Sequence, residues 1–324
     1  MAVYNPTGMQ NVHIDVALTQ ISIGFPTTGL VADRLTPAVP VGRISDKYYV
    51  FPREGWFPED DIRAPGTEAN EIPGLHVSTD TYYAQEHALQ IPVTWEEREE
   101  ADNPITPDQD ATELVTSKIL LGREITIKNL VTTVANYATG MSATLSGTAQ
   151  WNDFANSNPI GDVKGGRIAI HNQIFLDPNM MIIPWQVMIV LEDHPDFIER
   201  IKYSERGIVS QELISALFQI PEVVVPGTGI QTSAAGQAVT LGYLWAKDIV
   251  MAYVPARPGQ KIPAFAYEFV WGYPGAGAQA VERWSEIRRK SDLVRVGRRY
   301  DVKMTAVDAS NKSIAGYVIK SAVA

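Results

Sequence analysis

Between Thr106 and Gly140 the apolar residues recur every three or four positions, which is the period of one face of an α-helix. Thr106 is suited to cap such a helix, Pro107 fits its first position, and Gln109 stands where a capping box has its second member. We therefore predict a helix from Pro107 to about Ala138 that stops at Gly140. At about 1.5 Å per residue this helix would be on the order of 48 Å long, enough to cross a whole domain.

The chain before this helix divides into a stretch without period and two strand-like segments. Residues 1–40 contain several Pro and Gly residues and no sustained alternation, so we expect an extended arm whose apolar residues are buried by neighbouring chains. The segments 47–51 and 81–93 are rich in aromatic and β-branched residues, which favour strands. Between them lies a polar stretch, 52–78, and a loop of that length usually has a binding role.

The second half of the chain mixes short helical and strand-like patterns without regular β–α–β order, which predicts an α+β protein. We predict a buried strand over 180–191 and a pair of long C-terminal strands, 293–307 and 313–322, joined through residues 308–312. The remaining predicted elements are helices at 162–172, 195–202 and 211–219 and strands at 222–225, 248–254 and 264–271.

Composition narrows the class of protein. The chain has 324 residues, of which 45% are hydrophobic, and can bury a sizeable core. Its formal charge of -10 disfavours specific nucleic-acid binding, because such proteins use a basic surface to displace phosphate counterions. Cysteine is absent, which excludes disulfides, thiolate metal sites and cysteine nucleophiles. The first residues lack a secretory pattern and no apolar run could span a bilayer, so we expect a soluble intracellular protein without membrane association.

Motifs that carry chemistry are missing: the sequence has no Walker loop, no HExxH pair and no GxSxG elbow. The five histidines are scattered, and His194, directly before a proline at a predicted helix start, is better explained as a cap than as a catalyst. Asp108, Asp110 and Glu113 could bind a cation, but acidic residues in a first helical turn also complement the helix dipole. We therefore expect no enzymatic activity, no cofactor and no metal site.

Charge is concentrated in two blocks of opposite sign. Residues 54–110 contain fifteen acidic and two basic side chains, whereas residues 282–303 contain eight basic and four acidic ones. Each block alone could be a solvated face, but together they suggest complementary surfaces on different copies of the chain. The acidic residues with this predicted role are Glu54, Glu59, Asp60, Asp61, Glu68 and Glu71, and the basic ones are Arg283, Arg288, Arg289, Arg295, Arg298 and Arg299.

The order of the predicted parts resembles the major capsid proteins of tailed bacteriophages with the Hong Kong 97-type fold. The specific likeness lies between Gly147 and Gly227, in GTAQWNDFANSNPIGDVKGGRIAI and in the run that begins PNMMIIPWQVMIVLEDHPDF and ends QIPEVVVPG. The resemblance implies an N-terminal arm (1–40), an extended β-hairpin called the E-loop (41–95), a peripheral domain with the long spine helix (96–178), an axial domain (179–290) and the C-terminal strands of the peripheral domain (291–324).

As such a protein, the chain would assemble with itself into the pentamers and hexamers of an icosahedral virion shell, after synthesis in the host cytoplasm. The resemblance also implies a portal, a decoration protein in some relatives, and non-specific contact with packaged double-stranded DNA, which the basic block could face. Since only about forty residues precede the loop, a separate scaffolding protein is favoured over an attached one. Two other interpretations stay open: an encapsulin-type nanocompartment shell, and an α+β hydrolase, which the missing motifs disfavour.

Overall fold

The computed structural model describes residues 13–14, 29–48, 50, 61–63, 65–66, 68–69, 71, 80–101, 106–201, 210–233, 236–259, 262, 264–273 and 277–324. The strands are β1 (His13–Ile14), β2 (Ala38–Val41), β3 (Ser45–Lys47), β4 (Thr81–Tyr83), β5 (Gln85–Thr94), β6 (Ser142–Thr144), β7 (Met180–Ile182), β8 (Glu222–Val224), β9 (Gly229–Gln231), β10 (Leu241–Tyr243), β11 (Ile249–Ala252), β12 (Ala266–Trp271), β13 (Gln279–Glu286), β14 (Ser291–Met304) and β15 (Gly316–Lys320). The helices are α1 (Ala32–Leu35), α2 (Trp95–Glu99), α3 (Pro107–Thr132), α4 (Pro159–Ile174), α5 (Trp185–Glu192), α6 (Pro195–Ile201) and α7 (Gln211–Phe218). The predicted α+β class is confirmed.

The larger sheet, which we call sheet one, is built around β14. One edge of β14 pairs with β5, and its other edge pairs first with β13 and then with β12, all antiparallel. β2 adds to β12 in parallel, and β1 adds to the outer edge of β13. Because side chains alternate across a strand, Val294 and Val296 pack towards α3, whereas Arg295 and Arg299 lie on the opposite face.

The smaller sheet, sheet two, has the strand order β6–β15–β11–β7–β8 and mixes parallel with antiparallel pairs. Every residue of β7 and β11 is buried and apolar, which is the composition expected of strands that are covered on both faces. Helix α4 lies close against this sheet, because Gly166 has no side chain where Met251 and Tyr317 approach it.

Helix α3 connects the two sheets. Val115 and Ile119, in its first half, pack with the valines of sheet one, whereas Ile127 and Val131, in its second half, belong to the main core around sheet two. The predicted spine helix is therefore confirmed, and it runs from sheet one to sheet two. Its N-terminal capping box is not, because the Thr106 hydroxyl lies 2.9 Å from the Gln109 side-chain oxygen and makes no cap to the backbone.

The helix also ends earlier than predicted, at Thr132 instead of Ala138. The side chains of Asn136 and Tyr137 donate hydrogen bonds to the carbonyls of Leu130 and Val131 and so satisfy groups that another helical turn would have bonded. Residues 134–136 form a single 3₁₀ turn after it. An apolar period alone cannot distinguish such a turn from a continuing helix.

Three strand predictions need correction. The segment 180–191 is strand only in β7, because Pro184 interrupts it and starts helix α5. The segment 81–93 breaks at Ala84, where the chain passes from β4, paired with β3, to β5 in sheet one. The predicted strand 47–51 is displaced to β3, and residues 49 and 51 lie outside the described part of the chain.

The two C-terminal strands form, but they do not form a pair. β14 belongs to sheet one and β15 to sheet two, so the turn at 308–312 carries the chain from one sheet to the other. In that turn the Asp308 carboxylate accepts from the backbone N–H groups of Ser310 and Lys312, and Asn311 has a left-handed φ of 57°. The turn itself was predictable from these residues, but the change of sheet was not.

Candidate functional site

The acidic residues of the predicted docking surface lie on the long loop between β3 and β4. Asp61, Glu68 and Glu71 are exposed. Glu54, Glu59 and Asp60 lie outside the described residues. Among the residues that the structure describes, none of the three exposed carboxylates forms an ion pair.

The basic residues of that surface are separated by the alternation of β14. Arg298 points to the α3 face, where its Nε atom is 3.0 Å from Glu268, and only 12% of its side chain is exposed. Glu268 is fully buried and also binds Arg123 of α3, which in turn lies 2.7 Å from Asp33. Arg298 therefore belongs to a buried charge network between the spine helix and sheet one, and it is not placed to receive a neighbour.

Arg283 belongs to a second internal cluster, at the end of sheet one near α2. It binds Asp292 at 2.8 Å, and Arg98 bridges Asp292 to Asp108 of the spine helix. Burial opposes ionisation of Asp292, but hydrogen bonds from Arg283, Ser285 and Arg98 outweigh burial and hold the pKa of this carboxyl well below its usual range. The cluster consequently stabilises the ionised form of Asp292 within the chain.

Arg295 and Arg299 lie on the outer face of sheet one, where they are partly exposed. Arg295 binds Glu282, and Arg299 lies 3.5 Å from Glu86. The guanidinium of Arg299 also stacks on the ring of Tyr273, 3.9 Å from its centroid. Because these two arginines already form ion pairs within their own chain, they are less able to form ion pairs with a neighbouring copy.

Arg288 and Arg289 differ from the other predicted cations, because they stand in the turn between β13 and β14, where strand alternation ends. Both are exposed, and among the described residues Arg289 has only a long contact, 3.7 Å, with Glu286 of the same turn. Ile287 beside them is 78% exposed. The structure thus brings the predicted basic residues to one sheet and leaves two of them, with Lys290, exposed.

Residues 29–41 correct our expectation for the arm. The fully buried carboxylate of Glu124 accepts hydrogen bonds from the backbone N–H groups of Val31 and Ala32, at 3.1 and 2.9 Å, and from the indole of Trp245 at 2.8 Å. Leu35 is completely buried, and β2 joins sheet one. This segment is therefore held by its own chain, as is β1, which pairs with β13.

An exposed apolar stripe was missed by our sequence analysis. Val239, Leu241 and Tyr243 alternate along the β9–β10 hairpin and are 70%, 77% and 42% exposed, and the Tyr243 ring stacks on that of Trp185. Ile189, one turn after Trp185 on α5, continues the surface. The period-two alternation of 239, 241 and 243 was the available signal, but it cannot show which face of a hairpin is left without a partner. We call these five residues the apolar stripe.

Ser157, His194 and Asp196 lie together as a catalytic triad might, but their hydrogen bonds have the wrong direction. His194 Nδ1 accepts the backbone N–H of Asp196, so the proton of the neutral ring is on Nε2 and is donated to Ser157 Oγ, 3.0 Å away. Ser157 in turn donates to the carbonyl of Asp153. A base must accept the serine proton, and this ring cannot. Burial lowers the pKa of His194 and keeps it neutral, so the predicted capping role is confirmed.

The described residues contain no group of three or more His, Asp or Glu side chains that could hold a metal ion. None of the helices in the described ranges is long and apolar enough to cross a membrane.

Two curated proteins are similar in sequence to this chain along most of its length. The major capsid protein of Burkholderia phage BcepMu is 30% identical over 262 residues, which cover 80% of this chain and 82% of that protein. The chain belongs to the family of phage major capsid proteins. The major capsid protein of Pseudomonas phage JBD67 is 27% identical over 318 residues, covering 96% and 97% of the two chains. A comparison with models of known protein families finds no match.

Among solved structures, a phage-related protein from Bordetella bronchiseptica has the same fold. It superposes with a TM-score of 0.76 at 23% identity and covers 97% of this chain and 98% of that one. The expectation of a phage major capsid protein with the Hong Kong 97-type fold is thus confirmed, and its place is the virion capsid.

Proposed function

We propose that this major capsid protein assembles with copies of itself into pentamers and hexamers of an icosahedral head, and that it has no catalytic activity. The apolar stripe carries the proposal. A monomeric protein rarely exposes several large apolar side chains side by side, and such patches mark surfaces that a partner covers. Burying one of these side chains completely contributes about 1.5–3 kcal/mol, so the stripe can drive a permanent contact.

The stripe lies on the segment expected to form the axial domain, 179–290. We propose that copies meet there around the centre of each capsomer, while sheet one and the spine helix form the peripheral part. We propose that an arm that reaches a neighbouring copy lies before residue 29, because residues 29–41 are held by Glu124 and sheet one. Within that part, β1 pairs with β13 of its own chain.

Replacing a stripe residue by a charge tests the proposal. Leu241→Lys should leave the subunit folded, because Leu241 is 77% exposed, and should reduce capsomers and shells to free subunits in electron micrographs and light scattering. Gln237→Lys places the same charge on an exposed polar position of the same connection and should assemble like the parent. Shells of normal yield from Leu241→Lys would contradict the proposal.

A second contact is proposed between the acidic loop of one copy, by which we mean residues 54–71 between β3 and β4, and the turn at 287–290 of the next copy. The two surfaces have opposite charge, and the structure leaves Arg288 and Arg289 exposed while the other predicted cations have internal partners. Each exposed pair contributes only about 0–1 kcal/mol and weakens with salt, so one pair decides nothing. Repeated in every subunit of a shell, such contacts bias assembly and select its register.

Charge reversal distinguishes two cases: the two charge blocks dock on each other between copies, or both blocks simply face solvent. Changing Asp61, Glu68 and Glu71 to Lys should slow assembly at low salt and reverse its salt dependence, as followed by light scattering. Adding Arg288→Glu and Arg289→Glu to the same chain should restore assembly. A triple variant as efficient and as salt-sensitive as the parent would show that the loop does not dock on a basic surface.

Further partners follow from membership of a phage capsid family and remain proposals: a separate scaffolding protein, a portal, a decoration protein and non-specific contact with double-stranded DNA. An encapsulin-type shell is the alternative, and it is less supported because both named relatives are phage major capsid proteins. Electron microscopy of particles from infected cells distinguishes them, since a phage head contains DNA and an encapsulin shell contains protein cargo.

A further inference from the structure

After the acidic loop the chain passes through β4, which pairs with β3, and then enters β5, an edge strand of sheet one. Residues 85–90 of this strand are mostly exposed, and its backbone pairs with β14 alone among the described strands. An edge strand held by one ladder can twist relative to its sheet. The backbone of Tyr83 in β4 donates a hydrogen bond to Asp301 at 2.9 Å, and side chains that join β5 to the body add to this anchor of the strand that follows the loop.

Glu86, at the start of β5, makes such a junction. Its carboxylate accepts a hydrogen bond from the hydroxyl of Tyr273 at 2.9 Å and lies 3.5 Å from Arg299 and 3.7 Å from Arg295. The three partners come from β14 and from the connection after β12, so one carboxylate ties the loop strand to two parts of the body. Directed hydrogen bonds and ion pairs of this kind are stronger than neutral ones and fix orientation.

The partners of Glu86 are themselves held in place. The guanidinium of Arg299 lies over two rings, 3.9 Å from the centroid of Tyr273 and 4.7 Å from that of Trp271. Tyr273 fits over β14 because residue 297 is glycine, and a Cβ at that position would overlap the tyrosine hydroxyl. The acceptor on the loop strand thus meets a preorganised set of donors.

A second contact grips the strand from the other face. His87 stacks on Tyr300 with ring centroids 4.4 Å apart. In the β5–β14 register, Glu86 lies opposite Arg299 and His87 opposite Arg298, so the His87 ring reaches Tyr300 diagonally. The consecutive residues Glu86 and His87 are thus held on opposite faces of the sheet. We call Glu86, His87 and their partners the loop-root clamp.

We propose that Glu86 is a positioning residue that sets the angle at which the acidic loop leaves the subunit, and that assembly of regular shells requires this angle. The inference rests on the proposed function, because a fixed loop angle matters only when the loop meets a neighbouring copy. Glu86 itself need not touch that neighbour. Its effect is transmitted through β5 to the charged part of the loop.

Glu282 provides a matched control. It also binds Arg295 on the same face of sheet one, but it lies on β13, in the body, and not on the loop strand. Glu86→Ala and Glu282→Ala therefore each remove one carboxylate from the same arginine. Only Glu86→Ala should free the loop.

The experiment measures amide hydrogen exchange of purified subunits and, separately, shell formation by electron microscopy. Glu86→Ala should accelerate exchange over residues 85–90 by about tenfold or more, and should give few or irregular shells. Tyr273→Phe, which keeps the ring over Arg299 but removes the hydroxyl, should have the same effects to a smaller degree. Glu282→Ala should leave both the exchange over residues 85–90 and the formation of shells unchanged.

Regular shells from Glu86→Ala, or an equal loss in Glu282→Ala, would overturn the inference. Unchanged exchange over 85–90 would overturn it as well, whatever the shells look like. Failure of the parent protein to form any shell would instead contradict the proposed function, and the exchange measurement on subunits would still report whether Glu86 holds the loop strand.

Discussion

The two sheets of this capsid protein are stabilised in different ways. Sheet one meets the spine helix through apolar residues around Val115 and Ile119 and also through buried charges. The fully buried Glu268 binds Arg123 and Arg298, and Asp292 binds two arginines at the end of the sheet. Sheet two is filled by apolar residues, with β7 and β11 completely buried. Sheet one should therefore be sensitive to charge and pH, and sheet two to side-chain volume.

The difference has a consequence for the shell. Charged networks have exacting geometry, and removing one member leaves another buried and unpaired, so sheet one holds β5 and the turn at 287–290 in defined positions. A dry, closely packed sheet mainly supplies stability and a rigid base for the apolar stripe. We expect the two sheets to respond differently to the following changes.

The largest effect should come from Glu268→Gln. Loss of this carboxylate leaves Arg298 without its described ion pair and Arg123 with only the exposed Asp33, which should lower the free energy of unfolding by about 3–5 kcal/mol in urea titrations. Asp33→Asn, whose side chain is 63% exposed, should cost less than about 1 kcal/mol. Similar losses of stability in the two variants would mean that the buried Glu268 contributes no more to the network than the exposed Asp33.

Volume should matter most at sheet two. Gly166→Ala places a methyl group against Met251 and Tyr317 and should destabilise the protein by about 1–3 kcal/mol in the same titration. Gly165→Ala, one position earlier in α4, meets nothing within 4 Å and should instead stabilise by up to about 1 kcal/mol, because alanine favours helix. A gain in both variants would show that α4 can move away from the sheet.

Acid should weaken sheet one through Asp292. The folded pKa of this group lies below its ordinary value of 3.8, so the folded state binds fewer protons than the unfolded state around that pH. The stability due to Asp292 is therefore complete above its ordinary pKa and is lost as pH falls below it. Urea midpoints between about pH 6 and pH 3 should fall less steeply in Asp292→Asn than in the parent. The exposed Glu99→Gln should keep the parent's slope.

The smallest effects concern two helix caps, one at each sheet. Ser210→Ala removes a hydroxyl that accepts the backbone N–H of Leu213 at the start of α7 and should cost about 1 kcal/mol. Thr106→Ala, at the start of the spine helix, removes a hydroxyl that caps no backbone group and should change stability by less than about 0.5 kcal/mol. If thermal unfolding showed equal losses of stability in the two variants, Thr106 would act as the helix cap that the sequence suggests.

Features with a strong local signal were predictable. The spine helix begins at Pro107, and α7 begins after its Ser210 cap, as the residues there indicate. The order of parts was sufficient to recognise a capsid fold. The end of the spine helix was not predictable, because it depends on Asn136 and Tyr137 folding back onto carbonyls that precede them.

The candidate surface was predicted as two charge blocks but not as individual contacts. Composition alone cannot tell that Arg298 is bound internally while Arg288 is exposed, although the two are close in sequence. That difference arises from the α3 face of β14 and from the turn that precedes the strand.

Composition and the local period of apolar residues were enough to predict the class of the protein, its long helix and the opposite charges of its loop and C-terminal region. The three-dimensional structure was needed to show that residues 29–41 belong to the body, that β14 and β15 lie in different sheets, and that Glu86 contacts Arg299 and Tyr273. Each of these rests on contacts between residues that are far apart in the chain, as when Glu124 binds the backbone of Val31. Local pattern carries no record of such pairs, since many distant partners would satisfy the same buried group equally well.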